Sequence, residues 1–358
     1  MINSKIITLP CSDLKTVNSA RVSMDVVHEV FKEKGDTGLI NYLARHLHWT
    51  PFAHNREVIF FPVDSKVTYY HLIEMFGVAL SPEQQASMVI QANLHTSGIQ
   101  YIAVKTSLYG WASVIKHLHT TYFKNDGSTV ERILSVLNAK YPVGFKALIS
   151  EDIIATYKLS DKLVNRNADV YSKLVRQLEP KMFDITFYET VPIFVARQRF
   201  KHVIITVYNE ISRRYVDSIP VMFRPIEWRL RPEKSIKQGS GGIHPDNDKI
   251  MQQYDDFCKV ALQFYDKLVN HDKVAPEMAR ILLPQGMMTE YYVTSNIDAW
   301  DRFVAQRKDG HAQKEIQDLA SITETHLAKA KRDLEILLND PSKQHINIIP
   351  EMNKLGIF

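Results

Sequence analysis

PIFVARQRFKHVIITVYNEISRRYV, residues 192–216, is the stretch on which the reading of this chain turns. Arg197, Arg199, Lys201, His202, Arg213 and Arg214 fall within eighteen residues, interleaved with Gln198, Asn209, Glu210, Ser212 and the aromatics Phe200, Tyr208 and Tyr215. A solvated basic face is the ordinary fate of such a run. Two apolar runs argue instead for anchoring in the fold: 191–196 feeds into the basic residues, and 203–207 separates the two basic clusters. A segment that alternates between core and charge turns its polar groups into a cleft, where they can hold an anion. Residue chemistry alone leaves a phosphate or nucleotide site and a purely structural role both open.

The rest of the chain narrows the choice. Its 358 residues are 45% apolar, enough for one large domain or two. No run reaches eighteen uninterrupted apolar residues and residues 1–10 lack a basic-then-apolar leader, so the expectation is no membrane span, no signal peptide and a cytoplasmic location. The net charge of +4 is small, and its excess lies around 197–237, which suits an anionic small molecule better than a nucleic-acid track. Cys11 and Cys258 stand in unrelated contexts, each reading as an incidental or buried thiol, with no disulfide framework and no thiolate metal site.

Upstream, the pattern predicts a strand at 5–9, a helix carrying Val26, Val27, Val30 and Phe31, and a second helix over 38–46 that Pro51 ends by holding Thr50 extended. The histidines of HLHWTPFAH, 46–54, lack a carboxylate or thiol at useful spacing, so no metal is expected. A strand follows at 56–62. Ser81-Pro82-Glu83-Gln84 is a capping box launching a helix through Met88, Val89 and Ala92, and helical spacing continues over 101–122, 129–137 and 153–178. Alternating Phe183, Ile185 and Phe187 predict a strand entering Pro192, which starts a helix to about 205. Residues 225–240 form a basic, Pro/Gly-punctuated loop. An amphipathic helix over 246–270 carries Ile250, Tyr254, Phe257, Ala261, Phe264 and Leu268. A short helix from Ala275-Pro276-Glu277, an extended piece at 287–293 and a helical region broken near Gly310 complete the chain. The fold class is α+β, with a mixed or antiparallel central sheet. The division is 1–61 and 183–358 as two parts of one core, with 62–182 as an inserted helical subdomain.

Gln198, Asn209-Glu210, Ser212 and Arg214-Tyr215, downstream of Pro-Ile-Phe-Val-Ala-Arg, resemble the signature segment of the flavin-dependent thymidylate synthases. That family's usual Arg-His-Arg, seven residues, then Ser becomes Lys201-His202-Val203 with eight residues before Ser212. HLHWTPFAH, Ala20-Arg21-Val22-Ser23, the run 279–284, Asn296, Arg307 and His311-Ala312-Gln313-x-Glu315-Ile316 match other family elements in order, so the resemblance covers about 20–61 and 183–325.

The resemblance implies a dUMP site of Gln198, Glu210, Ser212, Arg213, Arg214, Arg280 and Arg307, arginine being suited to clamp a phosphate with paired hydrogen bonds. It makes Arg307 the residue that polarises the uracil and Ser212 a catalytic positioning residue beside the nucleotide. It implies an FAD site of His48, Thr50, Lys201, His202, Glu210, Asn296, Arg302 and His311. Departures are Ala53 for a family Glu, Val203 for an Arg, and Asp298, which Arg302 one turn on can pair; Arg197 or Arg199 can replace lost charge. The reaction implied is methylation of dUMP to dTMP with 5,10-methylenetetrahydrofolate and NADPH, in a homotetramer whose sites draw on several subunits. No nicotinamide fingerprint is present, so NADPH would reach the flavin directly. The rivals are the same fold acting on another pyrimidine nucleotide, by UMP methylation or hydroxymethylation, and a flavin- or nucleotide-binding homologue without turnover. Nucleic-acid binding ranks last, since base-stacking motifs are lacking.

Overall fold

The computed structural model of the chain describes residues 1–63, 69–81, 88–120, 127–159, 168–232, 240–343 and 346–357. Two antiparallel sheets carry it. The first is ordered β1 (Asn3–Ile6), β5 (Asp184–Pro192), β7 (Met288–Asn296), β6 (Thr206–Glu210), and the second β2 (Arg56–Pro62), β4 (Ile99–Ser107), β3 (Val89–Thr96). β5 and β7 pair over their full length, from Asp184↔Asn296 to Pro192↔Met288. The helices Ile297–Arg307 and Lys314–Asn339 cover this sheet, burying Trp300, Phe303, Ile316 and Leu319 against Ile185 and Phe187.

The second sheet corrects the all-helical reading of 62–182. β2 pairs with β4 from Arg56↔Ser107 to Pro62↔Tyr101, and β3 turns into β4 through Ser97 and Gly98, both at positive φ as a tight hairpin requires. Ile59, Phe61, Ile102 and Val104 face a helical core containing Trp111 and Phe145, whereas Phe60, Tyr101 and Ala103 face the core of the first sheet. The stretch 62–182 is therefore not helical throughout: β3 and β4 share a sheet with β2, and Leu174, Val175, Leu178 and Met182 belong to the same apolar core as Ile185 and Phe187 of β5. A strand covered on both faces loses its period-2 pattern, which is why 99–107 looks helical; the helix begins at Leu108 and runs to Thr120. Val89 and Ala92 are likewise strand residues, and Pro82, Glu83 and Gln84 of the capping box lie outside the described residues, as do 160–167 of the proposed 153–178 helix and 233–239 of the basic loop.

Other local expectations change. The first helix is Asp13–Arg21, N-capped by Ser12, and Val26, Val27 and Val30 lie exposed in the loop after it. The helix Glu33–Arg45 stops at a turn with Leu47 at φ 57°, and Pro51 sits in the first turn of the short helix Thr50–Ala53, where its missing N–H costs nothing. The helix after Pro192 is Ile193–Arg199. It ends in a loop that exposes Val203 and Ile204, so of the run 203–207 only Val207 is core. On the helix Asn247–Asp266, Phe257 and Phe264 are also exposed.

A buried ionic cluster ties the sheets together. Asp184 accepts from Arg56 Nη1 at 3.3 Å and forms an ion pair with Lys105 Nζ at 2.8 Å, all three side chains being at most 2% exposed. Burial pulls the Lys105 ammonium down to about 8 despite its carboxylate partner. Arg56 also donates to the carbonyl of Ile205, fixing the left-handed turn before β6. No helix among the described residues is long and apolar enough to cross a membrane.

Candidate functional site

The helix Ile193–Arg199, the loop after it and the end of the helix Ile297–Arg307 converge on one corner. Arg307 Nε donates to His202 Nε2 at 2.9 Å and Arg307 Nη2 to the Gln198 carbonyl at 3.3 Å. Gln198 Nε2 in turn donates to Gln313 Oε1 at 2.7 Å. His202 is held well below its ordinary pKa, to about 4, by burial and by the cations of Arg199 and Arg307. It is thus a neutral acceptor at physiological pH.

Arg199 is not the spare cation that its place in the motif suggests. It is buried, donates to Glu189 Oε2 at 3.2 Å and to the Tyr208 hydroxyl at 2.8 Å, and stacks 4.1 Å from the Phe303 ring centroid and 4.7 Å from that of Trp300. Its role is to hold β5, β6 and the helix over them. Arg197 is exposed.

A second group forms where β6 leaves the sheet. The Ser212 N–H donates to the Ser23 carbonyl at 3.0 Å, which brings the Arg21-Val22-Ser23 element against the signature serine. Ser212 Oγ accepts from the Arg214 N–H at 3.3 Å, and no histidine or lysine bonds to it among the described residues. Arg214 Nε donates to Glu277 Oε2 and Arg280 Nε to the Glu277 carbonyl, each at 3.2 Å, so one residue gathers two exposed arginines. Arg213 turns aside to the Ser218 carbonyl at 2.6 Å. Glu210 accepts from the Thr289 hydroxyl at 2.6 Å and pairs with no arginine among the described residues; burial raises its pKa while Thr289 opposes the rise.

The flavin-assigned residues divide. His48 is exposed, its ring 6.0 Å from Tyr42, and the Thr50 turn packs beside β6. Lys201, Arg302 and His311 are exposed. Cations and imidazoles open to solvent are donors of the kind a pyrophosphate takes, and of this set His48 lies beside the exposed ring of Tyr42. Asn296 departs from the assignment. It is buried at the N-cap of the helix Ile297–Arg307, Oδ1 accepting from the Ala299 N–H and Nδ2 donating to the Lys181 carbonyl, both at 2.9 Å, so its polar atoms serve the fold. The Asp298–Arg302 ion pair is not made among the described residues. Glu277, Thr289, Gln313 and His54 are contacts that the site-residue assignment did not include, although Gln313 and His54 lie within quoted motifs.

Antiparallel sheets under long helices, with Arg307 at the end of one helix and Arg214 in the loop after β6, define the chain as an α+β protein. A family model described as thymidylate synthase complementing protein, Thy1, matches residues 151–330, half of the chain, and the chain belongs to that family. The match begins inside the stretch 62–182. The flavin-dependent thymidylate synthase of Aquifex aeolicus is 27% identical over 320 residues, covering 86% of this chain and 92% of that protein. That of Treponema denticola is 31% identical over 192 residues, covering 50% and 70%. Membership makes the chain a methyltransferase-family enzyme of nucleotide biosynthesis. A solved structure of the UMP/dUMP methylase PolB from Streptomyces cacaoi bound with 5-Br dUMP is similar at 19% identity over 92% of this chain and 90% of that one, with a TM-score of 0.39, too low to bear on substrate.

Proposed function

We propose that the chain is a cytoplasmic FAD-dependent thymidylate synthase, converting dUMP to dTMP with 5,10-methylenetetrahydrofolate as carbon donor and NADPH as reductant. The observation that carries this reading is Arg307, braced by His202 and the Gln198 carbonyl, in a chain whose Ser212 meets Ser23 and whose Arg214 and Arg280 share Glu277.

Arg214 and Arg280 are the phosphate clamp. Their exposed contacts with Glu277 are weak, so a nucleotide phosphate can replace them with shorter, charge-assisted bonds. Among the described residues two of the five N–H groups of Arg307 are used, which leaves three to polarise the uracil N3–O4 edge. Ser212 holds the loop and the nucleotide, a positioning role that suits a hydroxyl with no base bonded to it among the described residues. His48, Thr50, Lys201, Arg302 and His311 would hold FAD, which when bound supplies hydride chemistry that side chains lack. The assembly is a homotetramer: Phe257, Val260 and Phe264 line one exposed helix face, a pattern that calls for a partner.

The test is the visible spectrum of the purified protein, followed by anaerobic NADPH with and without dUMP. Flavin bleaching accelerated by dUMP, and a product heavier than dUMP by the mass of one CH2, are the expected results. A protein that cannot be loaded with FAD, or a product carrying a hydroxymethyl group, would overturn the reading.

A further inference from the structure

His54 is wholly buried between three distant segments. Its Nδ1 lies 2.7 Å from Thr294 Oγ1 on β7, and its Nε2 lies 3.2 Å from Asn209 Oδ1 on β6. Thr294 Oγ1 is in turn 2.7 Å from Thr186 Oγ1 on β5. A neutral imidazole has one N–H, so the directions in this row are linked. Thr186 donates to Thr294, Thr294 donates to Nδ1, and Nε2–H donates to the Asn209 carbonyl oxygen. Burial and the neighbouring Lys15 and Arg56 cations keep the ring neutral, and Asn209 alone opposes them.

The row decides what Asn209 presents. With Oδ1 turned to His54, the amide N–H2 faces the other way, and Nδ2 makes no hydrogen bond among the described residues although the residue is only half-buried. A donor that the fold orients and leaves open to solvent is available to a ligand. Alternation along β6 sets Asn209 on the side opposite Glu210, which turns to Thr289, and the short helix Thr50–Ala53 packs against this strand.

We propose that Asn209 is a ligand-contacting residue of the site, donating its amide N–H2 to an acceptor atom, a carbonyl oxygen or ring nitrogen, of the flavin, and that His54 is the positioning residue that sets the amide's direction. This rests on the reading that the Thr50 side of β6 faces FAD.

The test is FAD titration by flavin fluorescence on the full-length protein, with dUMP binding measured alongside. Asn209→Ala is expected to weaken FAD by roughly tenfold, the worth of one hydrogen bond, to shift the visible band of the bound flavin and to leave dUMP affinity unchanged. His54→Leu should match it, His54→Gln should restore affinity because its amide can donate in place of Nε2–H, and the double variant should be no weaker than either single one. Wild-type affinity and spectrum in Asn209→Ala, or additive losses in the double variant, would overturn the inference; should His54→Leu not fold, the Asn209 variant decides alone. A wild-type protein that takes no FAD would instead overturn the proposed function, and the inference with it.

Discussion

Arg307 donates from Nε to Nε2 of His202 at 2.9 Å, so a permanent cation is braced by an imidazole that must stay neutral. Protonating His202 would remove the acceptor and set two cations in contact beside the buried Arg199. The arrangement therefore fixes the proton on Nδ1 and fixes the guanidinium at the same time.

Replacing Arg307 tests both halves of that relationship. Arg307→Gln removes one of the two cations that hold His202 near 4, so the His202 pKa should move up toward its ordinary range, read from its ring proton resonances. Turnover at saturating dUMP should fall by about 100-fold or more, the usual loss when a charge-stabilising donor is removed. Full turnover in the variant would remove Arg307 from the chemistry.

Ser212→Ala separates positioning from nucleophilic attack. Ser212 Oγ accepts from the Arg214 N–H and has no base bonded to it among the described residues. Loss of one hydrogen bond predicts a reduction of about 10-fold in kcat/KM. A drop to background rates would make the hydroxyl a nucleophile after all.

Parts of this fold were plain in the chain because a single face was buried. Phe183, Ile185 and Phe187 alternate, and β5 begins at Asp184. β4 was hidden because both of its faces are covered, so its residues form an apolar run with no period. Arg199 shows the limit for the site: residue type cannot tell a cation aimed at a ligand from one buried on Phe303, and its carboxylate partner, Glu189, lies on the preceding strand. Asn296 carries a second signal, a side chain three residues ahead of the Ala299 N–H, which is the mark of a helix cap. Ser23 and Gln313 lay inside recognisable motifs, yet only the fold brings them to Ser212 and Gln198.

The buried histidines predict an acid-sensitive fold. His54 is depressed to about 3 and His202 to about 4, so below pH 6.5 the unfolded chain binds protons that the folded one refuses. Stability is then fully present above about 6.5 and falls as the pH drops, at about 1.4 kcal/mol per pH unit for a fully buried histidine such as His54. Buried Glu189 and half-buried Glu210, whose pKa values are raised, act in the opposite sense. Urea unfolding of the wild type and His54→Gln between pH 7 and 5 isolates the histidine: the wild type should lose more stability on acidification. Parallel curves would mean that His54 titrates normally.

Asp184→Asn probes the junction of the two sheets. The carboxylate is 2% exposed and compensates two buried cations, Arg56 on β2 and Lys105 on β4. Arg56 cannot shed its proton, and Lys105, already down at about 8, would be pushed further toward the neutral amine. Removing one partner of such a buried pair costs about 3–5 kcal/mol, because the remaining charge stays desolvated. An exposed pair offers the contrast: Arg224 and Asp255 are 64% and 39% exposed, and Asp255→Asn should change stability by less than about 1 kcal/mol. Urea unfolding of both variants at pH 7 reads the difference directly. Equal, small losses would mean that Arg56 and Lys105 find water or another acceptor when Asp184 is gone, and that the sheets are joined by apolar packing alone.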